Sequence, residues 1–90
     1  MDIEFDAAKN AKNIEQRGIG FDRFADMDGT LSMEDTRRDY GERRVRVFGQ
    51  IDGSLHAAVI TLRGDRVRVV SLRRANEREE RQYEKAGQSS

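Results

Sequence analysis

The 90-residue sequence contains no cysteine, no proline and a single histidine. Without cysteine there is no disulfide staple and no thiolate metal site, and a reducing cytosol is the compartment such a chain suits. There is no apolar run of signal-peptide or membrane-spanning length, and the N-terminus opens on acid rather than base. The expectation is therefore a cytoplasmic protein without membrane contact. No carboxylate cluster at ligand spacing accompanies His56, so neither a metal nor a cofactor is expected. There is also no glycine-rich phosphate loop and no nucleophile elbow. Serines scattered around one histidine do not make a Ser-His-Asp arrangement. A net charge of zero argues against a polyelectrolyte that coats nucleic acid indiscriminately. The length suits one domain over residues 1–90, burying roughly 60–65% of the surface its unfolded form exposes.

What is present is charge, at 38% of residues, and it is unevenly placed. Residues 1–42 carry 6 Lys/Arg against 11 Asp/Glu, and residues 43–90 carry 11 against 6. Most of the cations are arginine, whose planar fork matches phosphate or carboxylate. An excess summed over one half of a small surface sets its field.

Ile3 and Phe5 alternate with Asp2, Glu4 and Asp6, which predicts a short opening strand. Asp6 stands where an N-cap belongs, before AAKNAKNIEQR. Ala7, Ala11 and Ile14 give that helix an apolar stripe, and Gly18 closes it. Phe21, Phe24 and Ala25 predict a second, shorter helix ending near Asp28-Gly29. Residues 30–42 read as a strand fragment around Leu31–Met33 followed by an exposed loop. RRVRVFGQI then alternates, with Val45, Val47 and Ile51 on one side. Asp52-Gly53 signals a hairpin, SLHAAVITL a buried central strand and RVRVVSL a third strand. Ser71 or Asn76 starts a last helix with Ala75, Glu79, Tyr83 and Ala86 on one face. Gln88-Ser89-Ser90 reads as a frayed tail. The fold class is α+β: N-terminal helices, an antiparallel meander sheet and a C-terminal helix.

Strand alternation puts Arg66 and Arg68 on one face, with Val67 and Val69 turned to the core. Ser71 and Arg73 fall at the strand's end on the valine side, where twist carries them to the rim. Arg74 adds a further guanidinium at the strand-to-helix junction, and Glu79 and Tyr83 follow on one helix face. A basic rim beside a carboxylate and a phenol suits a phosphodiester site. Cleavage of RNA needs the 2′-hydroxyl deprotonated, the charged transition state neutralised and the leaving oxygen protonated. Arginines serve the middle role without a metal. An alternative stays open at this level: Glu79 holds Arg73 or Arg68 in a structural ion pair, and Tyr83 only caps the core. His56, flanked by Leu55, Ala57 and Ala58, reads as a packed structural residue.

The run Glu4-Phe5-Asp6-Ala7-Ala8-Lys9, then Asn13 and Arg17-Gly18-Ile19-Gly20-Phe21, resembles the opening of BrnT toxins. The second half agrees through Gly41-Glu42-Arg43, Gly49, Arg63 to Ser71, Arg73, Ala75, Glu79 and Tyr83. The resemblance covers nearly the whole chain and is loosest over residues 28–42. It implies a type II toxin, a small ribonuclease of RelE-like fold that halts translation by cutting RNA. It further implies a BrnA-type antitoxin with a ribbon-helix-helix part, through which alone the complex would touch operator DNA. Carried over residue by residue, it implies Lys9, Arg66, Arg68, Arg73, Glu79 and Tyr83 as catalytic candidates, with Asn13 and Ser71 in lesser roles. Arg66 and Arg68 would bind or neutralise phosphate, and Glu79 would act as a base or orient an arginine. The family's histidine before the first glycine is Arg17 here. If that histidine serves as acid or base, activity is weakened, while Arg17 still binds phosphate. His56 compensating for that histidine is a further reading, with no geometric argument in the sequence behind it. Two further readings compete with the endonuclease: a catalytically weak, toxin-like partner and co-repressor, and a small RNA-binding module.

Overall fold

The computed structural model describes residues 2–88, so the expected tail falls, beyond Gln88, outside the described residues. The chain runs through β1 (Asp2–Glu4), α1 (Ala7–Arg17), a 3₁₀ helix (Phe21–Asp26), β2 (Asp28–Glu34), β3 (Arg44–Ile51), β4 (Ser54–Arg63), β5 (Arg66–Arg74) and α2 (Glu77–Gln88). The strands form one sheet in the order β1-β5-β4-β3-β2, so β1 and β2 are its edges. β2 to β5 make the expected antiparallel meander. β1 corrects the all-antiparallel expectation, because Asp2, Ile3 and Glu4 lie parallel to Arg66, Val67 and Arg68. Alternation identifies a strand but says nothing of its distant partner. Two further boundaries differ. The second helix is a 3₁₀ segment that ends at Asp26, and β2 takes up seven residues where a fragment was expected.

Cross-strand pairing divides the side chains between two faces. On the α1 face, Val47, Ile51, Ala58, Ile60, Val67, Val69 and Leu72 are buried with Phe21 against Ile3, Phe5, Ile19 and Phe24. Phe5 and Phe21 meet edge to face at 5.9 Å. On the α2 face, Phe48, Leu55 and Ala57 pack beneath Ala75 and Tyr83. The Asp52-Gly53 hairpin forms as predicted, with φ of 52° and 79° at its two central residues.

α1 forms for the reasons read in the sequence. Asp6 Oδ2 accepts from the Lys9 N–H at 2.9 Å, and Gly18 closes the helix at φ 72° with its N–H on the Ile14 carbonyl. Its apolar stripe, however, is not what docks it. Ala7, Ala11 and Ile14 are exposed, and no residue of α1 is buried. Two amides hold the helix instead. Asn10 Oδ1 accepts the Phe21 N–H at 2.8 Å. Asn13 Nδ2 donates to the Ile19 carbonyl at 2.9 Å and the Leu72 carbonyl at 2.8 Å. The Leu72 carbonyl belongs to the part of β5 that lies beyond its pairing with β1, so Asn13 satisfies an otherwise unpaired edge group.

A β-bulge in β5 decides how its arginine side chains are arranged. Val59 pairs with Ser71 and Ile60 with Val69, leaving Val70 as the extra residue. The alternation therefore slips by one. Leu72 returns to the α1 face with Val67 and Val69, while Ser71 and Arg73 join Arg66 and Arg68 on the α2 face. This corrects the expectation that Ser71 and Arg73 lie on the valine side.

Gly49 in β3 passes beneath the turn into β2. A Cβ built there would stand 2.2 Å from Met27 Cγ and 3.0 Å from the Asp28 carbonyl oxygen. Gly49→Ala is therefore expected to destabilise the fold by about 1–3 kcal/mol through overpacking. Thermal unfolding should show a midpoint lower by about 4–8 °C per kcal/mol. An unchanged midpoint would show that the crossing yields freely.

Candidate nucleic-acid interface

The α2 face presents its polar side chains in cross-strand rows. One row reads Arg44, Thr61, Arg68 and Glu4 across β3, β4, β5 and β1. The next reads Met33, Arg46, Val59 and Ser71, and the one after it Leu31, Phe48, Ala57 and Arg73. Arg66 stands at the opposite end of β5, roughly 20 Å from Arg73 at about 3.3 Å per residue. The arginines thus form a strip rather than a single knot.

Glu79, on the first turn of α2, anchors one end of the strip. It accepts from Arg73 in a two-pronged pair at 2.8 and 2.9 Å and lies 3.7 Å from Arg46. It also accepts the Asn76 N–H at 3.0 Å, while Asn76 Oδ1 accepts the Glu79 N–H at 2.9 Å. That reciprocal exchange is a capping box, so one carboxylate starts the helix and docks it onto the sheet. Its side chain is almost wholly buried. The Arg73 guanidinium, and then the Asn76 N–H and Arg46, hold its pKa below the usual carboxylate range despite burial. A carboxylate so held is a weak proton acceptor, which favours orienting Arg73 over serving as a base.

The segment after β2 is the exposed loop expected, except that Asp35 is buried and Tyr40 half-buried against the same face. Asp35 accepts from Arg37 Nε and NH2 at 2.8 Å each and from the Tyr40 hydroxyl at 3.1 Å. Arg37 holds the Asp35 carboxyl far below its ordinary range. Arg37 in turn lies near enough to Arg73 for the two guanidiniums to repel. Tyr40 lies 4.3 Å beneath the Arg44 guanidinium, and Arg46 stacks 5.1 Å from the Phe48 ring.

The sequence-predicted residues separate into groups. Arg66, Arg68, Ser71 and Arg73 share the strip with Glu79. Arg66 is 3.6 Å from Glu4, whereas the Arg68 side chain makes no hydrogen bond or ion pair among the described residues. Tyr83 shares the helix face of Glu79, but its hydroxyl donates to the Gly29 carbonyl at 2.5 Å and ties α2 to β2. Lys9 is exposed on α1, in the opposite layer. Asn13 is a structural amide of that layer, and Arg17 lies there too, at the C-terminal end of α1.

Arg37, Arg44, Arg46 and Thr61 were missed by sequence reading. The alternation of Arg44 and Arg46 about Val45 was the available signal for two of them. Thr61 is 2% exposed. Thr61 Oγ1 and Arg44 Nε are the buried side-chain polar atoms without a hydrogen-bond partner among the described residues. Both belong to the Arg44–Thr61–Arg68 row, which therefore retains unused hydrogen-bonding capacity.

Asp35 and Glu79 both bind protons less tightly folded than unfolded. The unfolded chain therefore takes up more protons through the ordinary carboxylate range, near pH 4, and stability rises with pH there. The stabilisation is complete above that range and declines as pH falls through it toward the folded values. The denaturant midpoint should be nearly level from pH 7 to about pH 5 and drop below about pH 4.5. Asp35→Asn and Glu79→Gln should each flatten the drop, and a midpoint that climbs on acidification would contradict the assignment.

Comparison with curated proteins and with solved structures returned no match. Residues 5–79 match the family described as "Ribonuclease toxin, BrnT, of type II toxin-antitoxin system". The matched span begins just after β1 and ends at Glu79, so it takes in the whole arginine strip. The chain belongs to the BrnT family of type II toxin–antitoxin ribonuclease toxins.

Proposed function

We propose that this chain is a single-domain, RelE-like endoribonuclease that works in the cytoplasm without a metal and inhibits translation by cutting RNA. The observation that carries the reading is Arg68, unpaired in the middle of a row that also holds Arg44 and the buried Thr61 hydroxyl. Arg46, Ser71 and Arg73 flank it one row further on. A strip of separated guanidiniums suits an extended chain of phosphates better than one compact anion. Arg68, with Arg46 and Arg73, neutralises the charge that builds on the scissile phosphate, and Glu79 fixes the geometry of Arg73. Glu4, Asp35 and Glu79 along the strip each already hold an arginine, so the face offers phosphate cations rather than metal ligands.

Arg17 stands in the other layer, so the histidine-to-arginine change does not fall at this strip and removes no proton-transfer group from it. Lys9 and Tyr83 play no direct part in this reading. A BrnA-type ribbon-helix-helix antitoxin covers the strip with an acidic segment by charge complementarity, and contact with operator DNA runs through that partner. A second reading, a weakly catalytic partner protein, draws on one observation: the Glu79 carboxylate and Tyr83 hydroxyl are both already engaged.

Arg68→Ala should lower cleavage of a model RNA by about 10²-fold, the usual loss when one preorganised charge-stabilising donor is removed. Its thermal midpoint should change little, because Arg68 holds nothing in the fold. Cleavage should persist in excess chelator. Induction of the intact gene should arrest growth with RNA cleavage, and Arg68→Ala should relieve the arrest. Unimpaired growth with tight antitoxin binding would favour the second reading.

A further inference from the structure

A second cationic site lies on the α1 face, away from the strip. A pocket of about 260 Å³ there has Arg17, Arg23, Asp52, Ser54, His56 and Arg74 in its lining. Arg74 and His56 are cross-strand partners at the ends of β5 and β4, which places their Cβ atoms about 5 Å apart on one face. Arg17 enters from the C-terminal turn of α1. The acid in its lining, Asp52, is already paired with Arg23 at 2.9 Å, and Arg23 is also bound to Asp26 at 2.8 Å; Arg74 also borders a neighbouring hollow with Glu80 and Glu84. Arg17 and Arg74 have no side-chain hydrogen bond or ion pair among the described residues. The pocket therefore keeps two uncommitted guanidiniums.

The Ser54 carbonyl fixes the orientation of the imidazole. His56 Nδ1 lies 2.8 Å from the Ser54 carbonyl oxygen. A carbonyl only accepts, so Nδ1 must carry hydrogen, which leaves Nε2 turned to the pocket as an acceptor in the neutral ring and as a donor only in the doubly protonated one. Two guanidinium forks around a small polar hollow match the oxygens of a phosphate group, with the imidazole beside them.

We propose that this pocket is a second phosphate-binding subsite that holds the RNA backbone outside the strip where cleavage occurs. Arg73 and Arg74 are consecutive and face opposite sides of the sheet, so a strand leaving Arg73 reaches Arg74 by turning around the C-terminal end of β5. The proposal takes its ligand, RNA, from the ribonuclease reading, but the binding itself does not require cleavage. The subsite would make strand length, rather than the scissile step, a determinant of affinity.

The test uses the full-length protein and a single-stranded 2′-O-methyl oligoribonucleotide, which lacks the nucleophile and is not cut. The double variant Arg17→Gln/Arg74→Gln should bind it about tenfold more weakly. The slope of log K against log salt should become shallower by about 1.4, from two fewer phosphate contacts at about 0.7 each. The charge-matched control Arg78→Gln/Arg81→Gln, on the exposed surface of α2, should change the slope much less. Equal changes in the two double variants would overturn the proposal, because net charge alone would account for them. If Arg68→Gln weakens binding and the Arg17/Arg74 pair does not, the subsite is excluded and the strip stands. If neither does, both fail.

Because the chain has one histidine, the imidazole ring signals in a proton NMR spectrum report on this pocket alone. Titration with inorganic phosphate should shift them in the parent protein and not in Arg17→Gln/Arg74→Gln. Absence of a shift in the parent, or a response to an acidic peptide but not to phosphate or RNA, would overturn the assignment.

Discussion

Glu79 is the contact through which the helix, the sheet and the cationic face become one object. Its carboxylate closes the capping box with Asn76 and grips Arg73 with both oxygens while lying near Arg46. A nearly buried charge is tolerated only when its lone pairs are filled, and here they are filled from both elements. Loss of the carboxylate would unsettle the start of α2 and the orientation of Arg73 at once. A kinetic effect of changing Glu79 therefore has to be separated from its effect on folding. Asp35 repeats the arrangement on a smaller scale, since Arg37 and Tyr40 both depend on it for their position over the sheet.

The single extra residue in β5 has an influence out of proportion to its size. Side chains along a strand alternate, so one inserted residue exchanges the faces of everything beyond it. With Val70 as the extra residue, the strand sends Arg66, Arg68, Ser71 and Arg73 to one side and keeps Val67, Val69 and Leu72 on the other. A regular strand would have put Ser71 and Arg73 on the layer opposite Arg66 and Arg68. Arg74, after the bulge, is sent to the α1 face, which is how β5 contributes guanidiniums to both sides of the molecule.

Local patterns in the sequence were reliable where the physics is local. The Asp6 cap, the Gly18 stop, the Asp52-Gly53 turn and the alternation of β3 and β4 each depend on neighbours a few residues away. The kinship also followed from local runs, and the match over residues 5–79 bears it out. Illegible features were those set by distant contacts. The parallel pairing of β1, the amide docking of α1 through Asn13 and Leu72, and the tie from Tyr83 to Gly29 span most of the chain. The α1 stripe misled because Ala7, Ala11 and Ile14 have helical spacing whether or not anything covers them. For the site, alternation placed Arg66 and Arg68 correctly. It misplaced Ser71 and Arg73, since a bulge leaves no trace in residue type, and it gave no hint that Asp35 and Tyr40 of the loop after β2 lie against the same face.

β2 is an edge strand, and its backbone pairs on one side only. Asp28 and Glu34 bracket it, and the middle, Gly29 to Met33, carries no charge, so the guard against self-pairing sits at the two ends. Met33 lies exposed beside that open ladder. Near its start the Gly29 carbonyl is taken up by Tyr83, so α2 shields that end of the edge and leaves the stretch around Met33 as the part open to strand addition by another chain.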